Sequence, residues 1–204
     1  MVFQIRGNHG SGKSTTIRCL IDNYGVRDVI KASDLVNGLD FADKPNEVVG
    51  ILLNDGLFVV GDYSAPTGGC DKIHRQDHIN ARVEWAVGSG FDVAFEGILA
   101  SITYERYADL AGKMQDAQVR YQFIFLMPDR AKCFEHINAR RKTSKVVRGP
   151  FKEELFDAKV KMLDRCCARY ERAGFEVIKA DSAVVAANQI IHVLDTLRAG
   201  VATI

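Results

Sequence analysis

The sequence predicts an α/β fold: a parallel sheet of about five strands with helices on both faces. Three observations carry this. Short apolar runs recur at Val2–Ile5, Val29–Ile30, Leu57–Val60, Val93–Phe95, Phe123–Met127 and Val177–Ile178. Between them lie longer stretches with helical spacing, such as Phe156, Val160, Leu163, Cys167 and Tyr170, and later Ala186, Ile190, Val193, Leu194 and Leu197. The runs are continuously apolar rather than alternating, which marks strands covered on both faces by crossover helices. Ligands of such a sheet sit beyond the carboxyl ends of the strands, so the residues just after each run are the candidates for a site.

The first run leads into Gly7-Asn8-His9-Gly10-Ser11-Gly12-Lys13-Ser14-Thr15, a full match to the phosphate-loop pattern G-x-x-x-x-G-K-[ST]. Glycines are needed there because the loop must turn tightly and aim consecutive backbone N–H groups inward, where a Cβ would block the turn or the phosphate. The helix that follows, from about Lys13 to Asn23, adds the positive end of its dipole to the same anion site. Lys13 is expected to reach the β- and γ-phosphates and the Ser14 hydroxyl to bind Mg²⁺. With a strand before it and a helix after it, the loop predicts a P-loop NTPase fold that uses ATP and Mg²⁺. A chain of 204 residues leaves no room for the added modules of helicases or transporters, and no N-K-x-D-like guanine-reading sequence follows a later strand. A small phosphotransferase is therefore favoured.

After the second run comes Lys31-Ala32-Ser33-Asp34-Leu35, where Asp34 serves either as an acceptor-activating carboxylate or as a helix cap. The third run enters the glycine-rich stretch from Gly61 to Lys72. Asp71 is placed there for general-base or acceptor-binding work, with an N-cap as its alternative, and Asp62 either contributes or starts the turn. Cys70 reads as a small filler, since phosphoryl transfer from ATP needs no covalent step. On the next helix Arg75, His78 and Arg82 share one face that can meet acceptor phosphates or simply face water. His74 and His78 resemble half a zinc site but lack a third ligand, and zinc is not expected. The fourth run ends in Glu96-Gly97, the position of the Mg²⁺-side acid, from which Glu96 can hold the metal or orient the acceptor hydroxyl.

Beyond the fifth run and its helix, the segment 139–150 carries Arg140, Arg141, Lys142, Lys145 and Arg148 and no acid. Lying between two helices, it reads as a mobile lid in which Arg140 and Arg141, then Arg148, stabilise charge on the transferring phosphoryl. The same patch can instead grip a nucleic-acid backbone.

The composition sets outer bounds. With 27 Lys+Arg against 26 Asp+Glu, the net charge of +1 excludes a histone-like polycation, and any nucleic-acid contact must come from local clustering. Five cysteines without a C-x-x-C pair suggest neither a disulfide framework nor a zinc ribbon, and fit a reducing cytosol. No apolar run approaches the roughly 18 residues of a membrane span, so a cytoplasmic protein is expected. There is no repeat, low-complexity tract or linker, which predicts one domain over residues 1–204.

Taken together, these residues resemble the small P-loop kinase superfamily, which includes shikimate kinase, chloramphenicol phosphotransferase and polynucleotide kinases. More narrowly, Gly7 to Ser14, Gly68-Gly69-Cys70-Asp71, Ala94-Phe95-Glu96-Gly97-Ile98 and Ala139-Arg140-Arg141 look like the bacteriophage kinases that phosphorylate 5-hydroxymethyluracil in DNA during thymine hypermodification. The resemblance implies nucleotide, Mg²⁺, acceptor and transition-state roles for Lys13, Ser14, Asp71, Glu96 and Arg140. It implies a hydroxyl acceptor in modified-base DNA and a location in the host cytoplasm if the chain is phage-encoded. A kinase of free nucleosides, nucleotides or other small hydroxyl compounds, and a non-catalytic ATP-binding module, are the alternatives. The sequence leaves the oligomeric state open.

Overall fold

Residues 1–65, 69–97, 101–143 and 153–201 are described by the structure, a computed structural model. In chain order the elements are β1 (Val2–Gly7), α1 (Lys13–Tyr24), β2 (Val26–Lys31), β3 (Val48–Leu53), β4 (Leu57–Val60), α2 (Gln76–Gly88), β5 (Asp92–Glu96), α3 (Glu105–Asp116), β6 (Tyr121–Leu126), α4 (Arg130–Thr143), α5 (Glu153–Arg172), β7 (Glu176–Ala180) and α6 (Ala183–Val201). Single turns of 3-10 helix lie at Ala32–Asp34, Gly38–Asp40 and Cys70–Lys72.

The strands form one sheet of seven in the order β2-β3-β4-β5-β1-β6-β7. From β4 to β7 the neighbours are parallel, and these five strands are the predicted parallel sheet. The edge departs from the prediction, because β3 runs antiparallel to β4 and β2 antiparallel to β3. The signal for β3 was present in Val48-Val49-Gly50-Ile51-Leu52-Leu53, followed by Asn54-Asp55-Gly56, a hairpin-turn sequence with Asp-Gly at its centre. The Leu57 amide donates to Asp55 Oδ1 at 3.2 Å and closes that turn. As a consequence β2, expected to be buried on both faces, is an edge strand exposed over most of its length.

Side-chain alternation divides the core as a buried strand requires. Val2 of β1 joins a cluster with Ile79, Val83 and Ala86 of α2, Leu110 and Met114 of α3, and Leu163 and Tyr170 of α5. Phe3 and Ile5 face the opposite side, against Ile17 and Leu20 of α1 and Ala186, Ile190 and Leu194 of α6. Each fully buried residue of this size contributes about 1.5–3 kcal/mol relative to leaving it in water. A smaller cluster of Cys133, Ile137 and Phe156 packs α4 against α5. The five cysteines are all free, and no helix among the described residues is long and apolar enough to cross a membrane.

Two arginines without solvent exposure brace the framework around the site. Arg6 of β1 donates to the carbonyls of Ser101 and Thr103 at 2.9 and 2.7 Å and to the Tyr170 hydroxyl at 3.0 Å. Its guanidinium lies over the rings of Tyr107, Phe123, Phe125 and Tyr170, 4.9 to 5.7 Å from their centroids. Carbonyl dipoles and aromatic faces thus replace the water that a buried cation loses. Through this cage Arg6 fixes Ser101, whose hydroxyl accepts the Gly7 amide at 3.1 Å where the phosphate loop begins. Arg82 of α2 donates to the carbonyls of Phe41, Val48 and Val49 and pairs with Glu47. It holds the hairpin onto the sheet. His78, also buried, lies 3.9 Å from Asp43. The expected cationic face of Arg75, His78 and Arg82 is therefore corrected: His78 and Arg82 point into the fold, and only Arg75 is exposed.

Candidate active site

At the carboxyl ends of β1, β4 and β5 opens a cleft of about 740 Å³. The phosphate loop forms its floor, Tyr63 to Ala65 and Asp71 one wall, and α4 with the start of α6 the other. Gly10 has a φ of 75°. A Cβ there would run into the Cys133 carbonyl of α4, so only glycine permits both the left-handed backbone and the close approach. His136 Nδ1 donates to the Gly10 carbonyl at 2.8 Å, and Asn8 Nδ2 donates to the Phe156 carbonyl at 3.1 Å. The tip of the loop is thereby tied to α4 and to α5.

Lys13 is buried, and its ammonium donates to the carbonyls of Gly7 at 2.9 Å and Asn8 at 3.1 Å. Burial lowers its pKa, while the charges of Glu96 and Asp71 act in the opposite direction. Ser14 donates through its hydroxyl to Glu96 Oε1 at 2.9 Å, and the Tyr63 hydroxyl donates to the same oxygen at 3.5 Å. Glu96 Oε2 is buried and has no hydrogen-bond partner among the described residues. Burial pushes the Glu96 carboxyl up to about 7 against the pull of Lys13, and the charge of Asp71 raises it further. Gly69, at a φ of 70°, lets the next turn close over this group: a side chain there would fall 2.5 Å from both Glu96 Oε1 and the Tyr63 hydroxyl.

The structure brings Lys13, Ser14, Glu96, Asp71 and Arg140 to one cleft. Asp71 is exposed in the Cys70–Lys72 turn. Cys70 is buried, and burial pushes its thiol up, so it is a filler as expected. Asp62 accepts the Ser64 amide at 2.8 Å and pairs with Lys72 at 3.0 Å, which makes it the start of a turn. Arg141 does not line the cleft; one residue beyond Arg140, it is rotated by about 100° around the helix. The lid expected over 139–150 lies outside the described residues from 144 onward, and Arg148 with it.

Asp34 is the main correction. Its carboxylate accepts the Lys31 amide at 2.8 Å and the Ser33 hydroxyl at 3.3 Å, the cap that was its alternative reading. It does not line the cleft. β2 stands four strand spacings from β1, about 19 Å at the usual separation. The inserted hairpin puts β4, not β2, beside β5, so the acid that lines the cleft wall opposite α4 comes from the segment after β4. That acid is Asp71.

Three basic cleft residues escaped the sequence reading. Lys132 and His136 form, with Arg140, a stripe at i, i+4 and i+8 along α4 that faces the loop. The spacing was legible, but many surface helices show it. Arg18 of α1 lines the cleft and donates to the Ala65 carbonyl at 2.5 Å, a contact that local sequence does not announce.

A loop that gathers phosphate at the end of the central strand, with an acid and a hydroxyl beside it and open space across from it, is the working end of a P-loop phosphotransferase. That is the class to which fold and site assign this chain. It matches no protein-family model. It is 30% identical over 183 residues to the 5-hmdU DNA kinase of Pseudomonas phage PaMx11, a match covering 88% of this chain and 90% of that protein. To the 5-hmdU DNA kinase of Pseudomonas phage M6 it is 35% identical over 110 residues, covering 50% of this chain and 54% of that one. The chain belongs to the family of phage 5-hmdU DNA kinases. Among solved structures, the deoxyadenosine kinase of M. mycoides with products dCMP and a flexible dCDP bound superposes over 97% of this chain and 100% of that one, with a TM-score of 0.44 and 12% identity.

Proposed function

We propose that this chain is an ATP- and Mg²⁺-dependent kinase that transfers the γ-phosphoryl group to the hydroxymethyl oxygen of 5-hydroxymethyluracil in DNA. The acceptor assignment rests on one observation, the 30% identity to the PaMx11 enzyme across 88% of the chain. The transfer itself is supported by the convergence of Lys13, Ser14, Glu96, Asp71 and Arg140 on one cleft.

In this reading the loop amides and Lys13 bind the β- and γ-phosphates, the Lys13 ammonium exchanging loop carbonyls for phosphate oxygens. The donor set beside the loop fits Mg²⁺: a carboxylate with a buried, unpartnered oxygen and a serine hydroxyl 2.9 Å from its other oxygen. Hard oxygen ligands few in number are what this ion takes from proteins, its remaining positions going to phosphates and water. Ser14 and Glu96 would hold it, and when bound it neutralises charge on the phosphate oxygens. Across the cleft, Asp71 orients the acceptor hydroxyl and takes its proton. As the acceptor oxygen bonds to the γ-phosphorus, the bond to the β-bridging oxygen breaks in line and ADP leaves. Arg140, set on the cleft by the Lys132-His136-Arg140 stripe, meets the charge of the transition state. One kinase domain over 1–204, closed by a lid at 139–150 and acting in the host cytoplasm, completes the proposal.

Labelled ATP offered in parallel to hydroxymethyluracil DNA, unmodified DNA, 5′-hydroxyl oligonucleotides and free nucleosides tests it. Label is expected in the hydroxymethyluracil DNA. Label confined to free nucleosides would overturn the DNA assignment and leave a nucleoside kinase.

A further inference from the structure

One cation at the phosphate loop has no place in the sequence motif. Lys159 lies in the second turn of α5, and its ammonium sits 2.9 Å from His9 Nε2. An ammonium only donates, so Nε2 is the bare, accepting nitrogen of the imidazole and Nδ1 carries the proton. His9 lines the cleft. Lys159 is half-buried, and among the described residues no carboxylate lies within ion-pair distance of it. The nearest acid in sequence on α5, Asp157, is engaged by Arg130 at 3.0 Å.

This helix is held firmly against the loop. The Phe156 carbonyl accepts the Asn8 side-chain amide, and the Phe156 ring packs on Phe134 of α4 with centroids 4.9 Å apart. Phe156 and Lys159, three residues apart, share a helix face, so the contact that docks α5 also sets the lysine beside His9. Lys159, Lys13 and Arg140 all act on His9, and with burial as the largest cause they lower its pKa to about 4. The three cations share this end of the cleft with the carboxylates of Glu96 and Asp71, whose charges act on Lys13. The positive field of the three at His9 favours an anion of several charges in the adjoining cleft.

We propose that Lys159 is a phosphate-binding residue of this kinase, parked on the His9 imidazole until a nucleoside triphosphate enters the loop. With one of its three N–H donors on His9, it has two left for phosphate oxygens. On binding, the ammonium serves the terminal phosphates jointly with Lys13. The α5 helix therefore supplies charge to the donor side of the cleft from behind His9, since Lys159 itself is not among the residues that line it. The inference rests on the kinase reading of the same cleft and adds a residue to it.

Calorimetry of Mg·ATP, ADP and AMP binding to wild type, K159M and K159R, with thermal unfolding of each, tests the proposal without an acceptor. Loss of this charge-assisted contact should weaken ATP binding by K159M about tenfold or more, equivalent to about 1.4 kcal/mol. AMP binding should change little, and K159R should recover most of the lost affinity. Should K159M fail to unfold cooperatively, K159Q, which retains polarity without charge, takes its place. Wild-type ATP affinity in K159M would overturn the inference. So would equal losses for ATP and AMP accompanied by a lower unfolding temperature, since that pattern marks a structural lysine. No ATP binding by the wild type would instead bring down the kinase reading beneath it.

Discussion

Glu96→Gln separates the electrostatic state of the site from its shape. The Glu96 carboxyl has no solvent exposure, and burial raises its pKa from 4.5 to about 7. An acid whose pKa is higher in the folded than in the unfolded state contributes most to stability below the unfolded value. That contribution is lost as pH rises through the folded value. The two pKa values correspond to about 3 kcal/mol between pH 4.5 and pH 8.5. Glutamine keeps the volume and the acceptor for Ser14 but cannot ionise, so it adds a constant offset, and the pH-dependent part disappears. Urea unfolding of both proteins at pH 4.5, 7 and 8.5 should therefore show the variant gaining about 3 kcal/mol on wild type from the lowest to the highest pH. For a chain of this size that is a relative shift of roughly 6–12 °C in Tm. Phosphoryl transfer by the variant should fall by about a hundredfold or more, as the carboxylate proposed to hold Mg²⁺ is gone. A stability difference that does not change with pH would refute the reasoning, because Glu96 would then be ionised at no cost and the site would not be primed for a cation.

Lys13→Ala should reduce transfer at least about a thousandfold while unfolding remains cooperative, since the side chain faces the anion site; loss of cooperativity in the denaturation curve would make Lys13 structural. Asp34→Ala should leave kcat and KM for ATP within about twofold and lower stability by about 0.5–2 kcal/mol, the worth of a cap. A hundredfold loss of kcat there would reinstate Asp34 as a catalytic acid. Gly10→Ala combines a strained backbone with a clash against the Cys133 carbonyl of α4. It should cost on the order of 1–3 kcal/mol in chemical denaturation and weaken ATP binding with it, whereas a neutral substitution would mean that α4 is not seated on the loop.

The phosphate loop was legible because its chemistry is local: nine consecutive residues supply the turn, the inward amides and the helix N-terminus, and no distant group is needed to form the cradle. Glu96 was legible for a related reason, since the end of a buried parallel strand dictates where its next side chain emerges. Asp34 was misplaced although its sequence context looked equivalent. Val29–Ile30 and Leu57–Val60 both read as strands, and only the pairing decided which of them lies beside β5. Arg82 and His78 resembled a surface stripe because helical spacing marks a face without saying what covers it, and here the hairpin from Val26 to Leu53 does.

By itself, then, the sequence determined the class of fold, the grip on a polyphosphate and the acid next to it, each written in a few adjacent residues whose backbone geometry follows from glycine, strand and helix propensities. Tertiary structure decided which of the candidate acids line the cleft, which basic side chains on α4 and α5 reach the loop, and which arginines serve as internal braces. Those outcomes depend on contacts between residues 33 to 164 positions apart. Strand order and helix docking set such contacts through the burial of whole faces, and no local pattern records which faces will meet.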